Sequence, residues 1–520
     1  MEKVKSKTFF LFWSLLGLGT LIIIWFLPWR FQVNDDVIMM WLVSGAYTGM
    51  PESYAVFIHP LLSWTFSKLY TIVPTIPWYP LTWYLVIYLS YLALITSLGY
   101  SKRGANEKNF LTLFSLFLLL HFALFLQFTI VAGISGFTGL LLFHIYSKNR
   151  INGLYIYATV LCIFSILIRW ESFVLILLGL GFYHLSFSLT RDKSKFPKPI
   201  LVSLLLLCIL VGSKMLWERQ SEYADFVPYN QARAAVSDHP AYYILREGGI
   251  KGKSKWFYFS HWMMEGNTFS VEKLEAKKDE LDKEFFTLNQ VSKSIIRLFL
   301  VMRMEAFKSV FAAILVGIFL YSFRGSKSSL LFIVTWIVFF LIFNHFFVLN
   351  GRVVILFFLP LLFPLALENF RNFLGRRTFY LAGSILIGLF AYHLYNFLRE
   401  AEARKVMDEE FLSLTANVPA GSLIVMEGYK ENYLGIKYSM AHPVPFLCLG
   451  WISSSPYQQK RLKKLGIDNI AEAKEYYLLG VDINKEFYFP DYMNFLRGSY
   501  ELESKIEKDN FLLFHYNQAR

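Results

Sequence analysis

The chain has 520 residues, of which 55% are hydrophobic, 18% are aromatic and only 17% are charged. A chain of this length with so few charges is too apolar for an ordinary water-soluble domain. The net charge of +13 is spread over short turns between apolar runs, which indicates membrane topology and excludes a nucleic-acid footprint. The composition predicts a polytopic α-helical membrane protein.

Eleven apolar runs are long enough to cross about 30 Å of hydrocarbon, which takes about 17 to 25 helical residues. Lys and Arg collect in alternate connections between these runs, and cytoplasmic loops are the ones that collect basic residues. The pattern predicts a multi-pass protein of the plasma (inner) membrane, with a cytoplasmic amino terminus and an extracytoplasmic carboxyl terminus. The predicted spans lie near residues 8–29, 78–100, 110–127, 128–146, 154–170, 172–190, 200–217, 305–323, 329–349, 353–369 and 379–398.

This pattern divides the chain into a transmembrane domain, residues 1–398, and a carboxyl-terminal domain, residues 399–520. The transmembrane domain has two long outer loops, near 30–77 and 218–304. The carboxyl-terminal domain is predicted to be a small extracytoplasmic α/β domain, because short apolar runs near 422–426, 446–451, 476–480 and 511–516 are typical of strands. Residues 458–477 have the charge spacing of a helix between two of these strands.

The most informative motif is Asn34-Asp35-Asp36, which follows the first apolar run on the predicted outer side. Acidic residues at a membrane are costly and mark the handling of protons, a cation or a polar substrate. Asn34 or Asp35 also suits the start of a surface helix, where an acid is stabilised by about 0.3 to 1 kcal/mol. The two uses are compatible.

The loop that contains this motif resembles the first extracytoplasmic loop of membrane glycosyltransferases of the GT-C superfamily. The resemblance implies a GT-C-like fold and an acidic pair at the mouth of a cavity for a polyprenyl-phosphate sugar. It implies transfer of a hexosyl or pentosyl group to an envelope glycan, a lipid or a protein, within a bilayer of membrane lipids. The residues that carry it are Asn34-Asp35-Asp36, Gly45, Gly49, His59-Pro60 and Pro77-Trp78-Tyr79.

In such an enzyme, Asp35 is predicted to be the base for the acceptor hydroxyl. Asp36 is predicted to orient the acceptor or to help hold a divalent cation, Mg²⁺ or Mn²⁺. No phosphate-cradling glycine loop or ATPase signature occurs in the sequence. The energy for transfer must therefore come from the sugar-phosphate bond of the donor.

The phosphate of the donor needs cationic partners. Arg169 and Arg352 are predicted to bind it, because each lies at the outer end of a span, where a charge is costly. His59, Glu171 and Arg233 are further predicted substrate-binding residues. Each has a structural alternative: an interfacial Arg169–Glu171 pair, an anchor at Arg352, a turn at His59 and a surface helix at Arg233.

Two other classes of protein remain alternatives. A lipid-linked sugar transporter or flippase is expected to carry polar groups deep within several spans, whereas here the middles of the predicted spans are nearly free of charge. A glycan polymerase of the O-antigen type also has many spans and a large outer loop. Such polymerases rely on arginines in outer loops more than on a paired acid after the first span.

Overall fold

The structure is a computed structural model. It describes residues 2–101, 103–190, 198–247, 254–265, 268–304, 327–367, 376–428, 438–481 and 486–519.

The first half of the chain is almost entirely helical. Its elements are α1 (Glu2–Phe26), β1 (Arg30–Phe31), α2 (Asn34–Ser44), α3 (Pro60–Ile72), α4 (Trp78–Tyr100), α5 (Ala105–Leu124), β2 (Phe125–Leu126), α6 (Phe128–Asn149), α7 (Asn152–Thr190) and α8 (Lys198–Gln220). Strands β1 and β2 pair in parallel, which fixes the segment before α2 against the segment before α6.

The second half adds further helices and a sheet. The helices are α9 (Phe226–Ser237), α10 (Pro240–Glu247), α11 (Lys255–Ser260), α12 (Val271–Asp282), α13 (Leu288–Met304), α14 (Lys327–Phe346), α15 (Gly351–Phe358), α16 (Leu362–Leu367), α17 (Arg376–Thr415), α18 (Pro456–Lys464) and α19 (Phe489–Leu496). The strands are β3 (Ile424–Glu427), β4 (Glu475–Val481), β5 (Tyr500–Glu507) and β6 (Phe511–Gln518).

Within the described residues, eight helices are long and apolar enough to cross a membrane: α1, α4, α5, α6, α7, α8, α14 and α17. Each contains or overlaps a predicted span. The span predicted at 353–369 corresponds to the shorter apolar stretch Gly351–Leu367. The span predicted at 305–323 lies outside the described residues.

Helix α7 contains two of the predicted spans. Between them, at Arg169, its backbone leaves the helical conformation (φ −159°, ψ 93°). Tyr155 in its first half contacts Phe143 at 5.6 Å between ring centroids, and His184 in its second half contacts His144 at 5.9 Å. Both ends of α7 therefore lie near the same end of α6. The chain reverses direction at Arg169, as the predicted spans 154–170 and 172–190 require.

The carboxyl-terminal part forms a four-stranded sheet of order β3-β4-β6-β5, in which only β3 and β4 are parallel. Strands β3, β4 and β6 match three of the predicted strands. The strand predicted near 446–451 is wrong, since that segment makes a single bridge between Leu447 and Val425. The helix predicted over 458–477 is shorter and is α18, and α17 runs without a break across residues 398 and 399.

The first outer loop packs against the connection between β3 and β4. The Val444 backbone N–H donates to Ala46 O at 3.0 Å, and the Tyr457 hydroxyl donates to Tyr54 O at 2.8 Å. The loop holds two helices, α2 and α3, and residues 36–44 of α2 are all buried. The packing therefore places α2 in the protein interior.

Candidate active site

A cavity of about 540 Å³ lies where the connections between spans meet the carboxyl-terminal part. Its walls come from the segment after α1, the break in α7, the end of α9, the turn before α15 and the loop before α18. Four of the residues predicted from the sequence line it: Asp35, Arg169, Arg233 and Arg352. They are up to 317 positions apart in the chain, so only the tertiary fold brings them together.

Asp35 and Arg352 form an ion pair across this cavity, with Arg352 Nη1 at 3.0 Å from Asp35 Oδ2. Asp35 lies in the first turn of α2, and Arg352 lies in the first turn of α15. The Asp35 side chain is 16% exposed and that of Arg352 is 23% exposed. Both groups are therefore held in place but can be reached by a ligand in the cavity.

Arg169 enters the cavity from the break in α7. Its Nε lies 3.2 Å from Glu171 Oε2, and its guanidinium lies 5.5 Å from the ring centre of Phe57 and 5.4 Å from that of Phe128. Rings in these positions stabilise a cation and leave its other N–H groups free to bind an anion. Glu171 is partly exposed beside the cavity and serves as the partner of Arg169.

Arg233 is buried on α9. Its Nε donates to Asn230 Oδ1 at 3.0 Å and its Nη1 donates to Ser237 Oγ at 3.2 Å. The guanidinium also lies 5.7 Å from the ring centre of Trp262. These contacts fix a third guanidinium at the cavity wall.

Asp238 also lines the cavity, although it was not among the predicted site residues given above. It follows the last residue of α9, and Ser237 Oγ donates to its Oδ1 at 3.4 Å. Burial raises the pKa of Asp238, while the positive charges of Arg233 and Arg352 limit the rise. The only sequence signal was its place near Arg233, in the segment Asp238-His239-Pro240.

Asp36 does not line the cavity. The Tyr79 hydroxyl donates to its Oδ1 at 3.0 Å, and the Phe128 backbone N–H donates to its Oδ2 at 3.2 Å. Burial raises the pKa of Asp36 to about 8, against the lowering effect of these hydrogen bonds. Neighbours on a helix point about 100° apart, so Asp35 faces the cavity while Asp36 ties α2 to α4 and α6.

His59 lies outside the cavity wall too. It precedes α3, where its Nδ1 accepts from the Leu61 backbone N–H at 3.1 Å and its Nε2 lies 2.9 Å from Leu210 O. Burial lowers the pKa of His59. Both ring nitrogens of His59 therefore contact the protein backbone. This matches the structural alternative, a turn at His59, that the sequence analysis left open.

Aromatic side chains complete the walls at Phe57, Trp262 and Trp451. The rings of Phe57 and Trp451 meet edge to face at 4.9 Å. Phe57 follows Val56, whose φ of 59° is a left-handed conformation that a β-branched residue rarely adopts. Lys214 Nζ at 3.0 Å and the Tyr54 hydroxyl at 3.2 Å donate to Val56 O and hold this turn.

The side chains around this cavity do not fit the divalent cation predicted at Asp36. Across the described ranges, no group of three or more His, Cys, Asp or Glu side chains is placed to hold a metal ion. Asp36 already accepts from Tyr79 and Phe128, and Asp35 is paired with Arg352. Three arginines at one cavity fit an anion instead.

The fold and the cavity together define a multi-pass membrane protein with an arginine-lined cavity at one end of its spans. No family model matches the chain, and no curated protein matches it. Among solved structures, the chain is similar to the crystal structure of ArnT from Cupriavidus metallidurans in the apo state, with a TM-score of 0.44 and 11% identity over 97% of each chain. At this level the likeness assigns no function, which has to be argued from the residues of the cavity.

Proposed function

We propose that the chain is an integral membrane glycosyltransferase of the GT-C type. It moves a hexosyl or pentosyl group from a polyprenyl-phosphate donor to a hydroxyl group of an envelope glycan, a lipid or a protein. The observation that carries the proposal is the convergence of Asp35, Arg169, Arg233 and Arg352 on one cavity at the end of the spans. The distribution of Lys and Arg puts this end on the extracytoplasmic side.

The reaction needs a proton acceptor and an anion site close together. The acceptor oxygen attacks the anomeric carbon, the bond from that carbon to the phosphate oxygen breaks, and the phosphate leaves with the electron pair. The hydroxyl proton passes to a carboxylate, for which Asp35 is the proposed residue. Asp36 supports this step by fixing α2, so that Asp35 keeps its position.

The guanidinium groups stabilise the phosphate as its charge develops, which is the larger catalytic contribution in a preorganised site. Arg169 and Arg233 are held by neighbouring rings and hydrogen bonds, so little reorganisation is needed when the phosphate arrives. A volume of about 540 Å³ lies within the range of pockets that bind small molecules. Phe57, Trp262 and Trp451 supply apolar ring surfaces for the faces of the sugar.

Asp238 is a second carboxylate for the acceptor side. Because burial raises its pKa, it is a better proton acceptor than an exposed aspartate once it is ionised. Asp35, in contrast, is already paired with the Arg352 guanidinium at 3.0 Å. We therefore assign the base to the pair of cavity carboxylates, with Asp35 as the first to be tested.

The testing experiment measures transfer of radiolabelled sugar from a polyprenyl-phosphate donor pool to membrane acceptors. Asp35→Asn and Arg352→Gln are expected to lower transfer by about 10² to 10⁴, with Asp35→Asn retaining donor binding. Asp36→Asn measures how much the second acid of the motif contributes to transfer, relative to Asp35. Asp238→Asn measures the contribution of the second carboxylate in the cavity. Asp279→Asn on the exposed face of α12 is the matched control, with all variants at equal expression.

Unchanged transfer in both Asp35→Asn and Asp238→Asn rejects acid–base catalysis in this cavity. No transfer by the native protein, together with an altered distribution of lipid-linked sugar across the bilayer, supports a transporter instead. A parallel assay in EDTA tests whether transfer requires a divalent cation. The arginine-rich lining predicts that transfer persists in EDTA. Loss that Mg²⁺ or Mn²⁺ restores shows that a cation is required after all.

A further inference from the structure

Helix α13 exposes large apolar side chains on one face and buries three polar ones on the other, while Asn289 and Ser292 are exposed as well. Leu288 is 89% exposed, Ile295 and Ile296 are both more than half exposed, and Phe286 just before the helix is 81% exposed. Gln290, Ser294 and Arg297 on the other face are all buried. A helix in water has the opposite arrangement, with its polar face towards the solvent.

The buried polar face binds the last turn of α14. Arg297 donates to Asn344 O and, at 3.4 Å, to Phe347 O. The Asn344 side-chain amide donates to Ser294 O at 3.0 Å, and His345 Nδ1 lies 3.3 Å from Ser294 Oγ. The two Arg297 contacts satisfy carbonyl groups at the carboxyl-terminal end of α14, where a cation is also favoured by the helix dipole.

The two helices cross instead of running side by side. Phe285, which precedes α13, packs on Phe346 with ring centroids 5.2 Å apart. Arg297, twelve positions later, reaches carbonyls of the same turn. An α-helix rises about 1.5 Å per residue, so Phe285 and Arg297 lie far apart along the chain. Both can contact the same turn of α14 only if α13 passes across the end of that helix.

The exposed face of α13 adjoins a surface that faces lipid. Helix α14 is long and apolar enough to cross a membrane, and Leu341, Ile342 and Phe347 near its end are about half exposed. We propose that α13 lies in the interface of the bilayer beside the end of α14, with Phe286, Leu288, Val291, Ile295 and Ile296 inserted among the acyl chains. Interfacial helices of this kind sink about 5 to 10 Å into the boundary between headgroups and acyl chains.

The partner is the acyl region of the membrane, and three observations favour it over water or a second copy of the chain. The apolar residues are spaced at Leu288, Val291 and Ile295, which aligns them on one face. That face continues the lipid-facing side of α14, and the helix leads along the chain into the apolar run at 305–323. The loop predicted as a polar outer region over 218–304 is then membrane-associated from about residue 286.

Spin labels on single cysteines test this placement in the full-length protein in liposomes. Cys162, Cys208 and Cys448 are first replaced by Ala or Ser, and a monodisperse gel-filtration profile confirms folding. Labels go on Leu288→Cys, Val291→Cys and Ile295→Cys, with Ala276→Cys on exposed α12 as the control. Collision rates with oxygen, which dissolves in lipid, and with a water-soluble nickel chelate are measured by electron paramagnetic resonance.

The three α13 labels are expected to collide at least three times more often with oxygen, relative to the nickel chelate, than the Ala276→Cys label does. Frequent collision with the nickel chelate at all three positions means that the face lies in water and overturns the proposal. Low collision with both reagents means that protein covers the face, as in contact with a second copy, and also overturns it. Neither result depends on the glycosyltransferase activity, so the two proposals fail separately.

Discussion

Asp35 and Asp36 are neighbours in sequence but occupy different environments. Asp35 lines the cavity and pairs with Arg352, whereas Asp36 is buried and accepts from Tyr79 and Phe128. Environment sets what a carboxylate does, so the two residues need not share a role. The sequence pointed to the pair but not to the difference, which arises because neighbouring helical side chains diverge by about 100°.

The raised pKa of Asp36 predicts how the stability of the folded protein changes with pH. In the folded protein burial raises the pKa of Asp36 to about 8, well above its ordinary value of 3.8. A carboxyl group with a raised pKa contributes stability that is fully present below about pH 4 and is lost as the pH rises through about 8. Asp36→Asn keeps the neutral form at every pH, so it is expected to be the more stable protein at pH 8.5.

Thermal unfolding in detergent from pH 5 to 9 measures this difference. The midpoint of the native protein is expected to fall more steeply than that of Asp36→Asn across this window. Asp279→Asn, on the exposed face of α12, serves as the control and should follow the native curve. Parallel curves for the native protein and Asp36→Asn would show that the carboxylate is stabilised in the fold.

At the level of elements, the spans could be predicted closely and the sheet only in part. Helix α4 covers 78–100, as predicted, because an uninterrupted apolar run has few other structures available in a membrane. Strand β5 was missed because its side chains after Tyr500 are exposed, Leu502 and Ile506 included, so it lacks a buried alternate face. The run 446–451 is apolar because it packs on the first outer loop, not because it is a strand.

The residues that line the cavity could also be predicted only in part. Arg169 and Arg352 could be found because an arginine at the end of an apolar run is rare and costly. Asp238 could not be chosen from its neighbours alone, since a surface helix ending in a turn has the same residues. His59 does not line the cavity, and a histidine before a proline also begins a helix, as it does at α3.

The α6–α7 hairpin depends on small residues. Ser135 Oγ donates to Leu161 O and Ser165 Oγ donates to Ala132 O, both at 2.7 Å, so the backbones lie close. A Cβ at Gly139 would lie 3.0 Å from Ala158 O and 2.8 Å from Cys162 Sγ. Small residues at such contacts are what allows helices to associate in a membrane.

Gly139→Ala is expected to lower the free energy of unfolding by about 1 to 3 kcal/mol, because backbone atoms of α7 must move to accept the methyl group. Gly181→Ala on α7 is the matched control, since within the described residues no atom outside the adjoining helix backbone lies within 4 Å of a Cβ built there. Its helix propensity predicts a neutral or slightly stabilising effect. Thermal midpoints in one detergent compare the two, and an equal loss in both would refute the close approach.

On the scale of the whole molecule, the carboxyl-terminal part closes the cavity that the membrane part begins. Leu449, Gly450 and Trp451 line it, and this loop is fixed where the Cys448 backbone N–H donates to the Tyr47 hydroxyl at 3.2 Å. Its position therefore depends on contacts to the first outer loop. Loosening those contacts is expected to disturb the site without changing any residue that lines it.

Lys460 and Glu52 provide the test, because this ion pair joins α18 to the first outer loop at 2.9 Å. Lys460→Met leaves the Glu52 carboxylate buried with the Tyr223 hydroxyl at 3.5 Å as a remaining contact. An uncompensated buried charge is costly, but Lys460 is 39% exposed, which limits the expected loss to about 1 kcal/mol. Transfer should fall in the same variant, since Trp451 belongs to the loosened part.

The double variant Glu52→Gln/Lys460→Met removes both charges and is expected to recover most of the stability and of the transfer. The coupling between the two sites, measured from thermal midpoints of the four proteins, should then be at least about 0.5 kcal/mol. Purely additive effects would mean that the ion pair does not hold the two parts together. Recovered stability without recovered transfer would assign Lys460 a direct role at the site, although Lys460 is not among the residues that line the cavity.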